Sequence, residues 1–340
     1  MTLRFVQANI PANVLKIDDI PDSTGCCEEK KFDAEIMRKQ FNNESSLRLL
    51  MSWRKAPPPE SVEQALRDNL ESWNHIAHMH AQGEGAVFYR IDQWLAGESK
   101  LAPWELEEVG SVGDKTLLHL QCHIGTDTLS WAREGATVTG LDFSERAISE
   151  ARRFSELLHI DDARFVVSEV AHAVEALDGE QFDIIYTGRG ALCWLPDLNQ
   201  WASVCAALLK PGGLLYLEET TPMANVMDVE QGPDGPQFVA KFDAFSTQPS
   251  SEIGEGSYAF RDWPGEKTTH CWEYRYDTII SALLNAGLRL ELLQERDELF
   301  FNPWQDVLEP SRPNYWRLKE GIVRIPLSFT LRAVKPVGSV

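Results

Sequence analysis

The strongest constraint on the fold is an alternation of short apolar runs with amphipathic stretches from about residue 102 onward. Thr116–Gln121 is apolar, a tight loop follows, and a helix is expected over Asp127–Arg133 until Gly135 stops it. Ala136–Asp142 is the next run, and Ser144 caps a helix to about Leu158. Arg164–Val167, Phe182–Thr187 and Leu214–Glu219 read as further strands. A helix around Trp201–Leu209 precedes a Lys210-Pro211-Gly212-Gly213 stop and turn. Thr278–Ala286 reads as a helix and Leu288–Gln294 as a strand. A terminal strand is expected from the alternation of Val323, Ile325, Leu327, Phe329 and Leu331. This order predicts an open, mostly parallel α/β sheet with helices on both faces. Such sheets bind ligands outside the carboxyl ends of their strands.

Two segments depart from the rhythm. Ahead of it, Ser61 starts a capping box, and Val62, Leu66, Leu70, Trp73 and Ala77 follow at helical spacing. Two shorter helices are expected over 32–53, before the Pro57-Pro58-Pro59 linker. Residues 220–275 are rich in Pro, Gly and aromatics with little periodicity, which predicts a loop-rich, functional insertion. The organisation expected is therefore an N-terminal helical extension (1–80) for assembly or pocket closure, a nucleotide-type α/β core (81–219), a substrate-pocket insertion (220–275) and a C-terminal completion of the core (276–340). The apolar residues at 32–53 call for a partner surface, so a homodimer is expected.

Charge and cysteine use narrow the function. The formal net charge is −20, which repels phosphate-rich partners. Nucleic acid and anionic membrane surfaces are disfavoured as partners, and a small-molecule substrate is favoured. No apolar run approaches the roughly 20 residues that span a bilayer. The 6 cysteines form no Cys-x-x-Cys pair. With no signal-like basic and apolar N-terminus, they read as reduced thiols of a cytoplasmic protein.

The chemistry concentrates in Leu117–Asp127 and Val138–Ser144. A strand enters a sharp loop, a helix leaves it, and Asp142 ends the next strand, where an acid can accept both hydroxyls of a ribose. Only Gly125 remains of the glycines such loops usually carry; Gln121 and His123 stand in the other places. A pyrophosphate needs bare backbone for close approach, so a nicotinamide dinucleotide is disfavoured.

Leu118–Asp127 with Gly140–Ser144 resembles motif I and the following strand of class I S-adenosylmethionine-dependent methyltransferases, in a bacterial small-molecule subgroup. Tyr186–Asp197, Leu209–Gly213 and Thr268-Thr269-His270 before Glu273-Tyr274 extend the resemblance, which covers roughly 70–335. It implies a Rossmann-like seven-stranded sheet and S-adenosyl-L-methionine as cofactor. It implies that Gln121 and Gly125 meet the amino-acid end of the cofactor, Asp142 the ribose, and Phe143 the adenine plane. Glu169 and Val170 would meet the adenine edge, Thr187 and Gly188 the sulfonium, and Tyr89 would close over the site.

On the acceptor side Arg189 is expected as a carboxylate clamp and His270 as a general base. His80, Trp194, Trp272 and Tyr274 are expected to line the acceptor pocket. The first reading is methylation of a small molecule, with a carboxylate proposed on it. A sharper variant is C-methylation of a 2-oxo acid, which would place a metal on His270 with help from Glu218 or Glu219. A different class is a non-catalytic protein that binds the cofactor without turnover. No dedicated metal site is expected in the first reading.

Overall fold

The computed structural model describes residues 54–233, 235–260 and 264–338. The helices expected over 32–53, with Cys26 and Cys27, lie outside the described residues. The central sheet has seven strands: β1 (Thr116–Leu120), β2 (Thr137–Asp142), β3 (Arg164–Val167), β4 (Phe182–Gly188), β5 (Leu209–Thr220), β6 (Arg289–Arg296) and β7 (Ser328–Val334). Their order across the sheet is β6-β7-β5-β4-β1-β2-β3. β7 runs antiparallel to both neighbours, and the β3-β2-β1-β4-β5 pairs are parallel. The crossovers leave β1 toward β2 on one side and resume at β4 on the other. The carboxyl ends of β1 and β4 therefore flank the crevice where ligands of such sheets bind.

Period-2 alternation explains how the sheet is buried. Leu118, Leu120, Ile185, Leu215 and Leu217 face one layer, with α7 (Leu198–Leu208) and α8 (Tyr276–Asn285) packed on them. Leu117, Ile184, Tyr186 and Tyr216 face the other, against Trp131 of α5 (Thr126–Arg133) and Val109 of α4 (Pro103–Val109). Both faces are covered, so the central strands read as near-continuous apolar runs.

Among the described residues, four helices precede the sheet: α1 (Val62–His80), α2 (Gly83–Phe88), α3 (Ile91–Leu95) and α4. Ser61 caps α1 as expected, its Oγ accepting from the Gln64 N–H at 3.2 Å. The box is only half closed, because the Gln64 amide turns to Asp68 Oδ1 at 2.7 Å. Ser144 caps α6 (Glu145–Leu158) by accepting from the Ala147 N–H at 3.0 Å.

Three expectations need correction. The Lys210–Gly213 turn does not separate a helix from a strand. It is a bulge within β5, between the pairs Phe182↔Leu209 and Ile184↔Leu214, and Gly212 supplies the required φ of 82°. The terminal strand begins at Ser328 rather than near Val323, which is 81% exposed. Residues 220–275 are less loop-like than expected. Met227–Gly232 pairs with Gly235–Ala240, and Ser250–Gly254 pairs with Lys267–Cys271 and with Arg54–Lys55. A three-stranded sheet over Glu298–Leu299, Leu308–Arg312 and Tyr315–Leu318 had no sequence counterpart in our reading.

Among the described residues, no helix is long and apolar enough to cross a membrane.

Candidate active site

A cavity of about 570 Å³ opens at the carboxyl ends of β1, β2, β4 and β5. The loop after β1 forms its floor and is tightly coiled: Gln121, His123 and Gly125 take φ of 58°, 50° and 77°. A left-handed residue other than glycine costs roughly 1–2 kcal/mol. Gln121 and His123 each offset that cost through their side chains. Gln121 Nε2 donates to the Ala191 carbonyl at 2.8 Å, which ties the β1 loop to the β4 loop. The His123 ring meets His80, Nε2 to Nδ1, at 3.0 Å, and lies edge-on to Trp73 at 5.2 Å. Burial pushes the His123 imidazole down to about 4, so it is neutral near pH 7.

Gly125 supports this floor rather than lining it. A Cβ there would lie 2.8 Å from Ala151 Cβ and 3.0 Å from Phe165 Cε1, and its positive φ adds backbone strain. Gly125→Ala is expected to cost about 2 kcal/mol and to weaken cofactor binding with it. A urea melt and calorimetry with adenosylhomocysteine would check this. Unchanged values in both would show that the loop relaxes around the methyl group.

Asp142 is 7% exposed. Its Oδ2 accepts from the His123 N–H and its Oδ1 from the Ser144 N–H, both at 2.9 Å. Burial nevertheless raises its carboxyl from the usual 3.8 to about 6, against the two backbone donors. Phe143, Glu169 and Val170 border the same end of the cavity. Glu169 lies 3.9 Å from His172 and is half exposed.

This end fits an adenosylmethionine. Gln121 Oε1 is buried with no hydrogen-bond partner, an acceptor suited to an ammonium. Each Asp142 oxygen accepts one backbone bond and has capacity for a ribose hydroxyl. Gly188 reaches the cavity at the end of β4, where a Cβ would meet the Glu218 carbonyl at 3.0 Å. Thr187 lies behind it, fully buried and outside the cavity wall, with its Oγ1 unpartnered.

Tyr89 closes the cavity from the N-terminal side, and its hydroxyl meets that of Tyr258 at 2.6 Å. Trp73 of α1 joins this wall and packs edge-on against Trp194 at 5.0 Å. Trp194, Trp272 and Tyr274 all line the acceptor side.

The other acceptor-side expectations do not fit the geometry. Arg189 is not free to clamp a carboxylate. Its guanidinium contacts Glu105 at 2.7 Å, Asp127 at 3.2 Å and Glu218 at 3.2 Å, and also donates to the Lys100 carbonyl. The strong acidity of the chain is thus met locally by a structural ion-pair hub. His270 is 1% exposed and outside the cavity. Its ring bonds Ser251 Oγ at 2.8 Å and Asp68 at 3.1 Å, and its backbone exchanges two hydrogen bonds with Asn69. It fastens Lys267–Cys271 to α1 and has no path to an acceptor proton. His80 is fully buried behind the wall, bonded to His123 and to Ser257 Oγ, each at 3.0 Å. It supports the floor rather than the acceptor.

Two acids that carried no assigned acid–base role do reach the cavity. Glu219, at the end of β5, accepts from the Leu192 and Thr220 N–H groups at 2.9 and 3.2 Å. Burial raises it to about 7 despite those bonds. Glu273 follows Trp272 and is likewise raised to about 7 by burial, against a hydrogen bond from Asn225. An acid between two aromatics, Trp272-Glu273-Tyr274, was the available sequence signal. Among the described residues no three His, Cys, Asp or Glu side chains are grouped to hold a metal ion.

Comparison with known proteins agrees with this fold. A methyltransferase domain model matches residues 118–215. A ubiquinone biosynthesis O-methyltransferase of Xanthomonas euvesicatoria is 28% identical over 244 residues, covering 69% of this chain and 84% of that one. One from Salmonella arizonae is 30% identical over 171 residues, covering 49% and 64%. A solved S-adenosylmethionine-dependent methyltransferase fold from Listeria monocytogenes superposes with a TM-score of 0.50 at 18% identity, over 68% of this chain and 96% of that one. The chain carries a methyltransferase domain at residues 118–215, and these similarities support a class I S-adenosylmethionine-dependent methyltransferase.

Proposed function

We propose that the enzyme methylates a hydroxyl oxygen of a small, largely apolar molecule that carries no carboxylate. The observation that carries this reading is the composition of the acceptor half of the cavity. Trp194, Trp272, Tyr274, Phe300 and Phe301 supply flat apolar walls, and Glu219 and Glu273 supply the acidic groups. Among the described residues, both cations on the cavity wall are engaged: Arg189 with its three acids, and Lys100 with the Tyr89 carbonyl. An anionic acceptor beside Glu219 and Glu273 would meet carboxyl groups rather than a cation. The volume suits a cofactor together with a small acceptor. Oxygen as the methylated atom is supported by the relatives, which are named as O-methyltransferases. Metal-assisted C-methylation of a 2-oxo acid is not favoured, because His270 is committed elsewhere. A role limited to cofactor binding is not favoured either, since the relatives are enzymes.

The sulfonium methyl is already activated when the cofactor is bound. The chain's own residues align the two reactants, shed water and manage one proton. Incubation with labelled S-adenosylmethionine and matched aromatic compounds, bearing hydroxyl, amine or carboxylate, tests the reading. Label is expected on the hydroxyl compounds. Label confined to carboxylate-bearing acceptors would overturn it.

A further inference from the structure

We propose that Glu273 is the catalytic base for this transfer, its Oε2 accepting the proton of the acceptor hydroxyl as the oxygen takes the methyl group. The proposal rests on the hydroxyl-acceptor reading above. Three observations carry it. Glu273 lines the cavity, and its Oε2 is shut away from solvent with no hydrogen-bond partner. Its carboxyl is steadied by Asn225, on a residue that also lines the cavity. Trp201, 1% exposed, lines the same cavity with its indole Nε1–H also unpartnered. A hydroxyl donates and accepts, so it can answer either kind of orphan. A carboxylate can answer only the indole.

Glu273 is held beside the β4 loop, because the neighbouring Trp272 N–H donates to the Cys193 carbonyl at 2.8 Å. Gln121 bonds the Ala191 carbonyl, the adjacent Leu192 N–H bonds Glu219, and the Glu219 carboxyl senses the charge of Glu273. Glu219 is the weaker candidate for the base. Both of its oxygens are already taken by backbone N–H groups, so its role is to hold the β4 loop.

The step balances. The C–S bond of the sulfonium breaks and its electron pair stays on sulfur, giving a neutral thioether. The acceptor oxygen forms the new O–C bond and loses its proton to Glu273 Oε2. One positive and one negative charge are lost together. Such pairing favours a water-poor cavity, and a base titrating near neutrality suits the proton transfer. The titratable groups coupled to Glu273 are Glu219 and Cys193, with Cys271 beside Cys193.

Glu273→Gln tests the idea on the whole enzyme, with any hydroxyl compound that the wild type methylates. Adenosylhomocysteine affinity should be unchanged, which checks the fold. Turnover should fall about a hundredfold or more. The wild-type rate should rise with pH through the neutral range as the carboxyl ionises, and that limb should vanish in the variant. Glu273→Asp should recover part of the rate. A nitrophenol acceptor, already ionised at assay pH, should lose far less in Glu273→Gln than an ordinary phenol. Equal turnover and equal pH profiles for wild type and Glu273→Gln would overturn the role of Glu273 alone. Failure of the wild type on every hydroxyl compound, with amines or carboxylates methylated instead, would overturn the hydroxyl reading and this base with it.

Discussion

Arg189→Ala is expected to destabilise the protein by about 3–5 kcal/mol, a large part of the 5–15 kcal/mol typical of a domain. The reason is what the substitution leaves behind. Glu105 and Glu218 have side chains that are 0% exposed, and Asp127 is only 17% exposed. Burial, and then the Glu105 charge, pushes Glu218 up to about 8, so it holds its proton near pH 7. Glu105 keeps bonds from the Tyr186 hydroxyl and the Ala102 N–H but loses its countercharge. An orphaned buried carboxylate is the costly outcome, not the missing contacts themselves. A fall in Tm of roughly 10 °C should follow. Adding Glu105→Gln should restore part of the loss, because the second change removes the orphan charge. Arg189→Lys keeps the charge but not the fork that reaches three acids, so it should fall between the two. A Tm within a degree of wild type for Arg189→Ala would refute the hub. A selective loss on carboxylate compounds with full stability would return Arg189 to the acceptor.

Much of the core was legible because its signals are local. Strands β1 to β5 follow apolar runs bounded by Gly, Ser and Asp, and α6 carries its own cap at Ser144. One rim of the cavity was legible for the same reason. Gln121, Asp142, Phe143, Glu169, Val170 and Gly188 all follow directly from a strand end, so sequence order places them on one rim. The acceptor end depends on long-range packing. His270 and Glu273 are three positions apart, yet one is pinned to Asp68 and Asn69 of α1 while the other reaches the cavity. Nothing local distinguishes them. Arg189 misled for a related reason. Its partners come from α4, α5 and β5, at sequence separations of 84, 62 and 29, and no pattern along the chain joins them. The sheet at 298–318 was missed because its strands are short and interrupted by Pro310 and Ser311.

The cofactor's affinity should depend on pH through Asp142, and the sign follows from burial. Its carboxyl titrates near 6 in the folded chain against the usual 3.8, so the fold favours the protonated form. Ionised Asp142 therefore costs stability, from nothing below about pH 4 to about 3 kcal/mol above pH 6. Ribose hydroxyls donate to the ionised form and offset part of that cost, so binding lowers the pKa. Affinity for adenosylhomocysteine should consequently rise as pH rises, by about tenfold from pH 5 to pH 7 on this residue's account, and level off above it. Glu219 titrates near 7 in the same cavity and contributes its own slope. Asp142→Asn isolates the term. It should bind about a hundredfold more weakly at pH 7.5, because an ionised acceptor of two hydroxyls is lost and an amide N–H must face the His123 or Ser144 N–H. At pH 5 the gap should shrink to about tenfold, since the wild-type carboxyl is then largely protonated. Calorimetric titrations of both proteins at the two pH values measure all four affinities. A deficit in Asp142→Asn that stays constant with pH would mean that the ribose does not rest on an ionising Asp142.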